Sequence, residues 1–277
     1  VPELPEVETV RRGLEQTAVG RRIERVEVGR ERTVRRTSAQ ALIDGLTGTR
    51  ITAVTRRGKS LVCPLDSGDA LMIHLRMSGR VLVANRGSHR PPHTHVVMTM
   101  GTEELRFVDP RTFGEMVVFD PDRASVELPE LGRLGVDPVA DPFDAAVLRA
   151  ALAGTRRGIK AVLLDQHRVA GLGNIYTDEV LHRAGVRFDR PADQLRPVEI
   201  RRLAGAVTEV LAEAIELGGS TLDDTQYVDI LGNTGSYQEH HLVYGREGEV
   251  CLTCGKAPIR RASVGGRSTF FCARCQR

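Results

Sequence analysis

Pro2, Glu3 and Glu6, within the opening Val1-Pro2-Glu3-Leu4-Pro5-Glu6-Val7-Glu8, are a set of residues able to do amine chemistry. With nothing ahead of it, Pro2 presents a secondary α-amine. Such amines titrate near about 8, against about 10.4 for lysine, so far more is unprotonated at neutrality. A free secondary amine attacks an aldehyde-like carbon and gives a fixed-charge iminium, which acts as an electron sink. Glu3 adjoins it, and Glu6 lies three residues on, within reach as an acid or a hydrogen-bond partner. Taken alone, the octapeptide reads more simply as a helix start, since Pro5 suits a first helical position and Glu6 and Glu8 suit a helix N-terminus.

The second chemical feature lies at the other end. Cys251-x2-Cys254 and Cys272-x2-Cys275 are separated by 17 residues, the spacing of a tetrahedral four-thiolate zinc site. Each knuckle places two thiolates on one side of a tight turn, relaxed in the first by Gly255. Gly265-Gly266 predicts a hairpin between the knuckles. Four ligands leave no open position, so one structural Zn2+ is expected. After Glu249 there is no acidic residue, while Lys256, Arg260, Arg261, Arg267, Arg274 and Arg277 follow. That cationic end is a phosphate-facing footprint if it folds. Cys63 stands alone between Leu61 and Leu65 and is expected to be a buried small hydrophobe.

Shorter motifs lie between. Arg56-Arg57-Gly58-Lys59 opens a strand at Lys59, His74-Leu75-Arg76-Met77-Ser78-Gly79 closes another in a turn, and Asp109-Pro110-Arg111-Thr112-Phe113-Gly114 forms a loop. Met77, Arg111 and Phe113 have the side chains of wedges that fill the gap left by an extruded base, with core packing as the plainer reading of Met77 and Phe113. His93-Thr94-His95 offers a metal pair, phosphate contacts or plain surface. Gly171-Leu172-Gly173-Asn174-Ile175-Tyr176 lacks the third glycine of a dinucleotide fingerprint and follows a helix, leaving a helix–turn–helix. Its second helix would begin near Asn174, with free amides and the Asn side chain able to hold a phosphate. Arg156 and Lys160 could grip neighbouring phosphates as point charges.

The elements that must position these groups follow from periodicity. Val7, Val10 and Leu14 form a helical stripe ending at Gly20. Alternation then predicts strands from Ile23 through Val28 and at Ser60–Leu65, Ala70–Leu75, Arg80–Ala84, His95–Met100, Leu105–Val108 and Glu115–Phe119. A helix capped by Ser38 is expected at Ala39–Leu46. Leu128–Pro142 has the prolines of a linker. Helices are expected at Ala145–Leu152, Ile159–Gln166, Asn174–Ala184 and Pro197–Leu217, then a polar loop from Gly218 to about Glu239. The 277 residues suffice for two cores, which with 4% aromatics and no Trp must be aliphatic. A net charge of +3 is too small to prove a polyanionic partner. With no signal peptide or membrane-length apolar run, the chain is expected to be cytosolic, with reduced thiols.

In this order, PELPEVE at Pro2–Glu8, RRGK at Arg56–Lys59, HLxMSG at His74–Gly79, DPRTFG at Asp109–Gly114, GLGNIY at Gly171–Tyr176, YGREGE at Tyr244–Glu249 and the four-cysteine ribbon resemble the formamidopyrimidine-DNA glycosylase family of bacterial base-excision repair. The resemblance covers nearly the whole chain. It implies an α+β multidomain protein: an N-terminal β-sandwich carrying an N-terminal helix over 1–130, a helix-two-turn-helix domain over 131–245 and a zinc-finger hairpin over 246–277. Duplex DNA would run through the cleft between the first two. It further implies that Pro2 is the Schiff-base nucleophile at C1′ of the damaged nucleotide and Glu3 the proton donor. Lys59 would assist catalysis and β-elimination, and Arg267 the second, δ-elimination. His93, Arg111, Arg156, Lys160, Asn174 and Tyr244 would contact DNA, while Met77, Arg111 and Phe113 would fill the vacated stack. The segment from Ser220 and Thr221 to about Tyr237 resembles the loop that closes over flipped 8-oxoguanine. The implied partner is double-stranded DNA carrying oxidised purines or abasic sites, bound by a monomer at the bacterial nucleoid, with no membrane association.

Two alternatives remain at this point. An endonuclease VIII-type enzyme would use the same nucleophile on oxidised pyrimidines, although Leu4 and the complete Ser220–Tyr237 loop favour the purine branch. A non-catalytic zinc-dependent DNA-binding protein would result if Val1 stayed in place, because Pro2 would then be a tertiary amide. The expectation is that Val1 is an initiation codon read literally, translated as Met and removed ahead of Pro2.

Overall fold

The computed structural model describes residues 2–34, 36–222 and 227–277, so Val1, Arg35 and residues 223–226 within the expected 218–239 loop lie outside the described residues. Two compact units are present: one runs to Gly132 and takes in Leu217–Ser236, the other comprises Arg133–Glu216 and Tyr237–Arg277.

In the first unit, α1 (Leu4–Ala18) forms where the apolar stripe predicts it, and Val7, Val10, Leu14 and Ala18 are buried along one face. Gly20, at φ 79°, turns the chain out of the helix. The strands are β1 (Arg25–Val28), β2 (Thr55–Arg57), β3 (Ser60–Pro64), β4 (Ala70–His74), β5 (Arg80–Asn85), β6 (Thr94–Met100), β7 (Glu103–Val108) and β8 (Glu115–Phe119). They form two antiparallel four-stranded sheets in the orders β1-β6-β7-β5 and β2-β3-β4-β8. Between β1 and β2 lies α2 (Ala39–Leu46), whose first turn is capped as expected, Ser38 Oγ accepting from Ala41 N at 3.1 Å.

The period of two explains the core. Leu61 and Cys63, Leu71 and Ile73, and Met116 on one sheet meet Val96, Met98, Leu105 and Phe107 on the other, together with the α1 stripe. Fully burying each such aliphatic side chain is worth about 1.5–3 kcal/mol, so α1 is held mainly by this face. The alternate residues Ala70, Met72, Val117 and Phe119 form a second cluster on the outer side, closed by Leu128. The stretch read as a linker from Leu128 therefore begins inside the first unit, with α3 (Ala124–Glu127) and α4 (Pro129–Gly132) over the sheet. Burial pushes the Cys63 thiol up to about 12, which keeps it a neutral core residue.

The second unit holds α5 (Ala145–Leu152), α6 (Ile159–Leu163), α7 (Asn174–Ala184), α8 (Pro197–Glu216) and the hairpin of β9 (Ile259–Val264) and β10 (Arg267–Cys272). Asp144 caps α5 through Ala146 N and Val147 N, and Gly185, at φ 67°, ends α7. α6 stops three residues short of the expected Gln166. The Gln166 side chain folds back on Leu164 O and Leu172 O and accepts from Gly171 N, closing the tight turn into α7. Gly265 and Gly266, at φ 56° and 77°, make the β9–β10 turn as the sequence predicts.

One boundary differs from the sequence expectation. Within 131–245, Leu217–Ser236 packs with the sandwich rather than the helices. Val83 N donates to Ile230 O at 2.8 Å, and Ile230 lies so close to α1 that a Cβ on Gly13 would be 2.8 Å from Ile230 Cγ1. The loop after α8 is thus part of the first unit's edge. The 246–277 hairpin clusters with the helices in a single unit.

Candidate functional site

The start of α1 is a buried acidic junction. Pro2 is buried, Glu3 is the N-cap at 3% exposure, and Glu3 and Glu6 form a reciprocal capping box in which Glu3 N donates to Glu6 Oε2 at 2.7 Å. The other oxygen, Oε1, accepts from Ser220 N at 2.7 Å. Both oxygens of Glu6 accept backbone amides, so its side chain anchors the helix start to the neck of the 217–236 segment. Gly219 makes this approach possible. It has φ 80°, and a Cβ there would sit 2.5 Å from Glu6 Oε1. Tyr227 donates its hydroxyl to Glu6 O at 3.3 Å, and burial, then the Glu6 charge, pushes its phenol pKa up. Thr221 Oγ1 closes the neck, donating to Tyr227 O at 2.8 Å and accepting from Gly235 N at 2.9 Å.

Lys59 sits in the β2–β3 turn, one residue before the strand it was expected to open, beside Gly58 at φ 58°. Arg56 fixes this turn to α1: Nε donates to Glu8 Oε2 at 3.0 Å and Nη1 to Gly58 O at 2.8 Å, with both side chains nearly buried. The structure therefore places Pro2, Glu3, Glu6, Lys59, Ser220 and Thr221 in one unit, with Arg56–Glu8 tying the Lys59 turn to the helix that carries Pro2.

The other motifs of this unit lie in its loops. Met77 is half-buried, Arg111 is exposed, and Phe113 is 37% exposed with the Arg111 guanidinium carbon 5.2 Å from its ring centre. Phe113 is not a core residue. His93 is exposed at φ 66°, whereas His95 is buried and donates Nε2–H to Asp109 O at 2.9 Å. The two histidines are therefore not a metal pair.

In the second unit Asn174 opens α7 as expected, but its Nδ2 donates to Ser268 O at 2.9 Å on β10. Lys160 departs from expectation. It is fully buried, its Nζ donating to Asp178 Oδ1 at 2.7 Å and to Ser268 O at 3.1 Å, so it is not presented to a phosphate. Asp178 Oδ2 accepts from Phe270 N at 2.9 Å; burial pushes this carboxyl up and Lys160 pulls against it. Lys160 is thus a clamp between α6, α7 and β10. Arg156 remains a surface cation, 3.7 Å from Asp193. Arg267 is exposed at the start of β10, immediately after the glycine turn.

Tyr237 corrects another expectation. It is not in the lesion loop but 1% exposed in the second unit, in a short 3-10 turn with its ring 5.5 Å from that of Tyr176. Tyr244 is half-buried against Phe270, and its amide, with those of Leu242 and Val243, donates to the buried Glu179 carboxylate at 2.8–3.0 Å.

The four cysteines converge. Their Sγ atoms lie within 4.8 Å of one another, with Cys251–Cys275 and Cys254–Cys272 each at 3.8 Å. A tetrahedron with Zn–S bonds of about 2.3 Å has edges of about 3.8 Å, so the donor set fits zinc. His182 and Gln276 support it: His182 Nδ1 meets Gln276 Oε1 at 3.2 Å, and that oxygen accepts from Cys272 N at 2.9 Å. The site takes one structural zinc.

Three family models match in succession: the formamidopyrimidine-DNA glycosylase N-terminal domain over residues 1–116, its H2TH domain over 134–226, and the zinc finger found in FPG and IleRS over 248–277. The formamidopyrimidine-DNA glycosylases of Salinispora arenicola and Geobacillus kaustophilus are each 44% identical to this chain over its whole length, covering 96% and 100% of their own. The chain belongs to the formamidopyrimidine-DNA glycosylase family. Among solved structures it resembles Lactococcus lactis Fpg in complex with abasic-site DNA, at 39% identity, 99% coverage of both chains and a TM-score of 0.89. It likewise resembles the same protein bound to DNA containing N7-benzyl-Fapy-dG, at 39% identity, full coverage and a TM-score of 0.90. No described helix is long and apolar enough to cross a membrane.

Sequence reading missed Asp109, Arg56, Asp178, Glu179 and Gln276 of this family member as individual supports. Asp109 and Arg56 lay inside quoted motifs, but nothing in a motif says which of its members is buried. Asp178, Glu179 and Gln276 gave no local signal, because the contacts that bind them to other elements reach far along the chain, to Phe270, Val243 and His182, 92, 64 and 94 residues away.

Proposed function

We propose that this chain is a base-excision repair DNA glycosylase and abasic-site lyase that removes oxidised purines, 8-oxoguanine and formamidopyrimidines, from duplex DNA, acting as a monomer. The observation that carries this reading is the junction at Pro2: an amine-bearing residue beside a buried Glu3, braced by Glu6 against Ser220 of the loop neck.

In the proposed reaction the Pro2 nitrogen attacks C1′ of the damaged nucleotide. The glycosidic bond breaks with its electron pair going to the base, which takes up a proton. The sugar ring opens to an iminium at C1′, its ring oxygen protonated by an acid for which Glu3 is the candidate. The iminium acidifies C2′; loss of that proton expels the 3′ phosphate, and a second elimination expels the 5′ phosphate. Lys59 and Arg267 are placed in these steps by their motif positions, as cations that stabilise departing phosphates. Zinc supplies no chemistry here; it holds the hairpin that bears Arg267. The substrate base must be everted, at a cost of a few kcal/mol, and Met77, Arg111 and Phe113 fill the gap. His93, Arg156 and Asn174 supply phosphate contacts, and Tyr244 is a further DNA contact in this reading.

Borohydride trapping tests the reading. Protein beginning at Pro2 is expected to cross-link to an 8-oxoguanine duplex faster than to a thymine glycol duplex. Absence of any adduct would leave a DNA-binding protein, and faster trapping on thymine glycol would assign the pyrimidine branch.

A further inference from the structure

Among the described residues, three that are not glycine have a positive φ: Arg76 at 55°, His93 at 66° and Thr112 at 55°. L-residues disfavour this region, a β-branched threonine most of all. Each lies in a different segment, and each adjoins or is a residue proposed to touch DNA: Arg76 precedes Met77, Thr112 sits between Arg111 and Phe113, and His93 is itself one. Strain of this kind persists only where surrounding contacts over-determine it.

The contacts that do so converge on one residue. Asp109 follows β7 and is fully buried. Its backbone N donates to His93 O at 3.0 Å, and its carbonyl accepts from Thr112 N at 3.2 Å. That carbonyl also accepts from His95, which stands at an irregularity in the β6–β7 register, the kind of bulge that re-aims a side chain. Its carboxylate Oδ1 accepts from Ser78 Oγ at 2.5 Å and from Arg111 N at 3.2 Å, and Oδ2 accepts from Gly114 N at 2.6 Å. Ser78 Oγ also lies 3.3 Å from Arg111 N, so the Met77 turn and the Arg111–Phe113 loop are joined through one hydroxyl. Gly114 admits this arrangement because a Cβ there would stand 2.5 Å from Phe107 and 3.0 Å from Asp109 Oδ2.

We infer that Asp109, acting through Ser78, is a positioning residue that sets Met77, Arg111 and Phe113 as one preorganised wedge and holds the loop of the phosphate-contacting His93 in register with it. This rests on the proposed role of those side chains in base extrusion. A buried anion accepting several charge-assisted hydrogen bonds holds its donors more rigidly than neutral acceptors would. The wedge therefore enters the duplex without first having to order three separate loops. An abasic nucleotide is already unstacked and requires the wedge less.

The test compares single-turnover base removal from an 8-oxoguanine duplex with strand cleavage at a preformed abasic site. Ser78→Ala removes the bridging hydroxyl with little threat to folding; Ser78→Thr restores it, and Asp109→Asn replaces one acceptor oxygen by a donor. Ser78→Ala and Asp109→Asn are expected to slow lesion removal about tenfold, the worth of one hydrogen bond to a charged group, and abasic cleavage less than about twofold. Ser78→Thr should recover lesion removal, and a 2-aminopurine reporter beside the lesion should show insertion slowed in Ser78→Ala alone of the two serine variants. Equal slowing of both substrates by Ser78→Ala, or no slowing of either, overturns the proposal. The joint Met77, Arg111 and Phe113 to Ala variant separates the two levels. If it too slows both substrates alike, the wedge reading fails and the Asp109 proposal with it. If it is selective while Ser78→Ala is not, the Asp109 proposal alone fails.

Discussion

The two units hold their exposed functional side chains by different means. In the first, a large aliphatic core from two sheets and α1 supports the loops, and backbone strain at Arg76, His93 and Thr112 is absorbed by hydrogen bonds at the sandwich rim. In the second, Arg267 stands on a two-stranded hairpin whose own apolar cluster is Val243, Cys251, Ile259 and Cys272, half of it thiols. So small a cluster does not fold a hairpin alone. The hairpin is held by metal and by buried polar contacts, with Lys160, Asn174 and Asp178 gripping Ser268 and Phe270. A well-filled core can tolerate strained loops at its edge, whereas a hairpin without a core needs charge and zinc.

The largest effect that would sharpen this contrast separates chemistry from grip. Protein carrying an extra residue ahead of Pro2 should lose borohydride trapping by at least about a hundredfold, because displacing a nucleophile by about 1 Å is already that costly. Its affinity for an abasic-site duplex, read by fluorescence anisotropy, should hardly change. Full trapping with that residue confirmed by intact mass would refute the role of Pro2.

Next is metal removal. Cys254→Ser should release zinc and unfold the hairpin, since structural zinc supplies about 10–16 kcal/mol to such small folds. Lesion-duplex affinity should fall while thermal unfolding of the sandwich is retained. Full zinc content by metal analysis would break the assignment.

The buried ion pair comes third. Asp178→Ala leaves the Lys160 ammonium uncompensated and should cost about 3–5 kcal/mol in urea unfolding of the second unit, while Lys160→Met with Asp178→Leu should recover most of it. A loss under about 1 kcal/mol for Asp178→Ala would show that water reaches Lys160 and that the clamp is not dry.

The smallest effect concerns one suppressed histidine in each unit. Burial, then Arg76, Lys59 and Arg36, lowers the His74 pKa to about 3; burial lowers that of His241 to about 4, reinforced by Arg246 and His240 against a backbone hydrogen bond at Tyr244. Both are neutral when folded. The unfolded chain takes up protons below about 6.5, so each histidine's share of stability is intact above that pH and is lost as pH falls toward 4 and then 3, by at most about 1.4 kcal/mol per pH unit. His74 Nδ1 accepts from Arg76 N at 3.0 Å, a bond that protonation would break. His74→Gln should flatten the pH dependence of the first unit's stability between pH 6 and 5 by about 1 kcal/mol in urea titrations; an unchanged slope would mean His74 already titrates normally.

The sequence by itself determined what short spacing controls. The Val7, Val10 and Leu14 period specified α1 and its buried face, Ser38 marked the start of α2, Gly265-Gly266 specified the hairpin turn, and two C-x2-C knuckles identified the metal ligands. Each of these depends on groups within a few residues of one another, so composition and period suffice. Tertiary structure alone decided the fates of Lys160, Tyr237, Asp109 and the Leu217–Ser236 segment. A lysine next to arginines looks like a surface cation until Asp178 and Ser268 O enclose it, 18 and 108 residues away. Tyr237 at the end of a polar loop reads as part of the segment that closes over the flipped base until Tyr176 packs on it. Burial of a charge or a strained loop is settled by partners distant in the chain, and no local pattern carries that information.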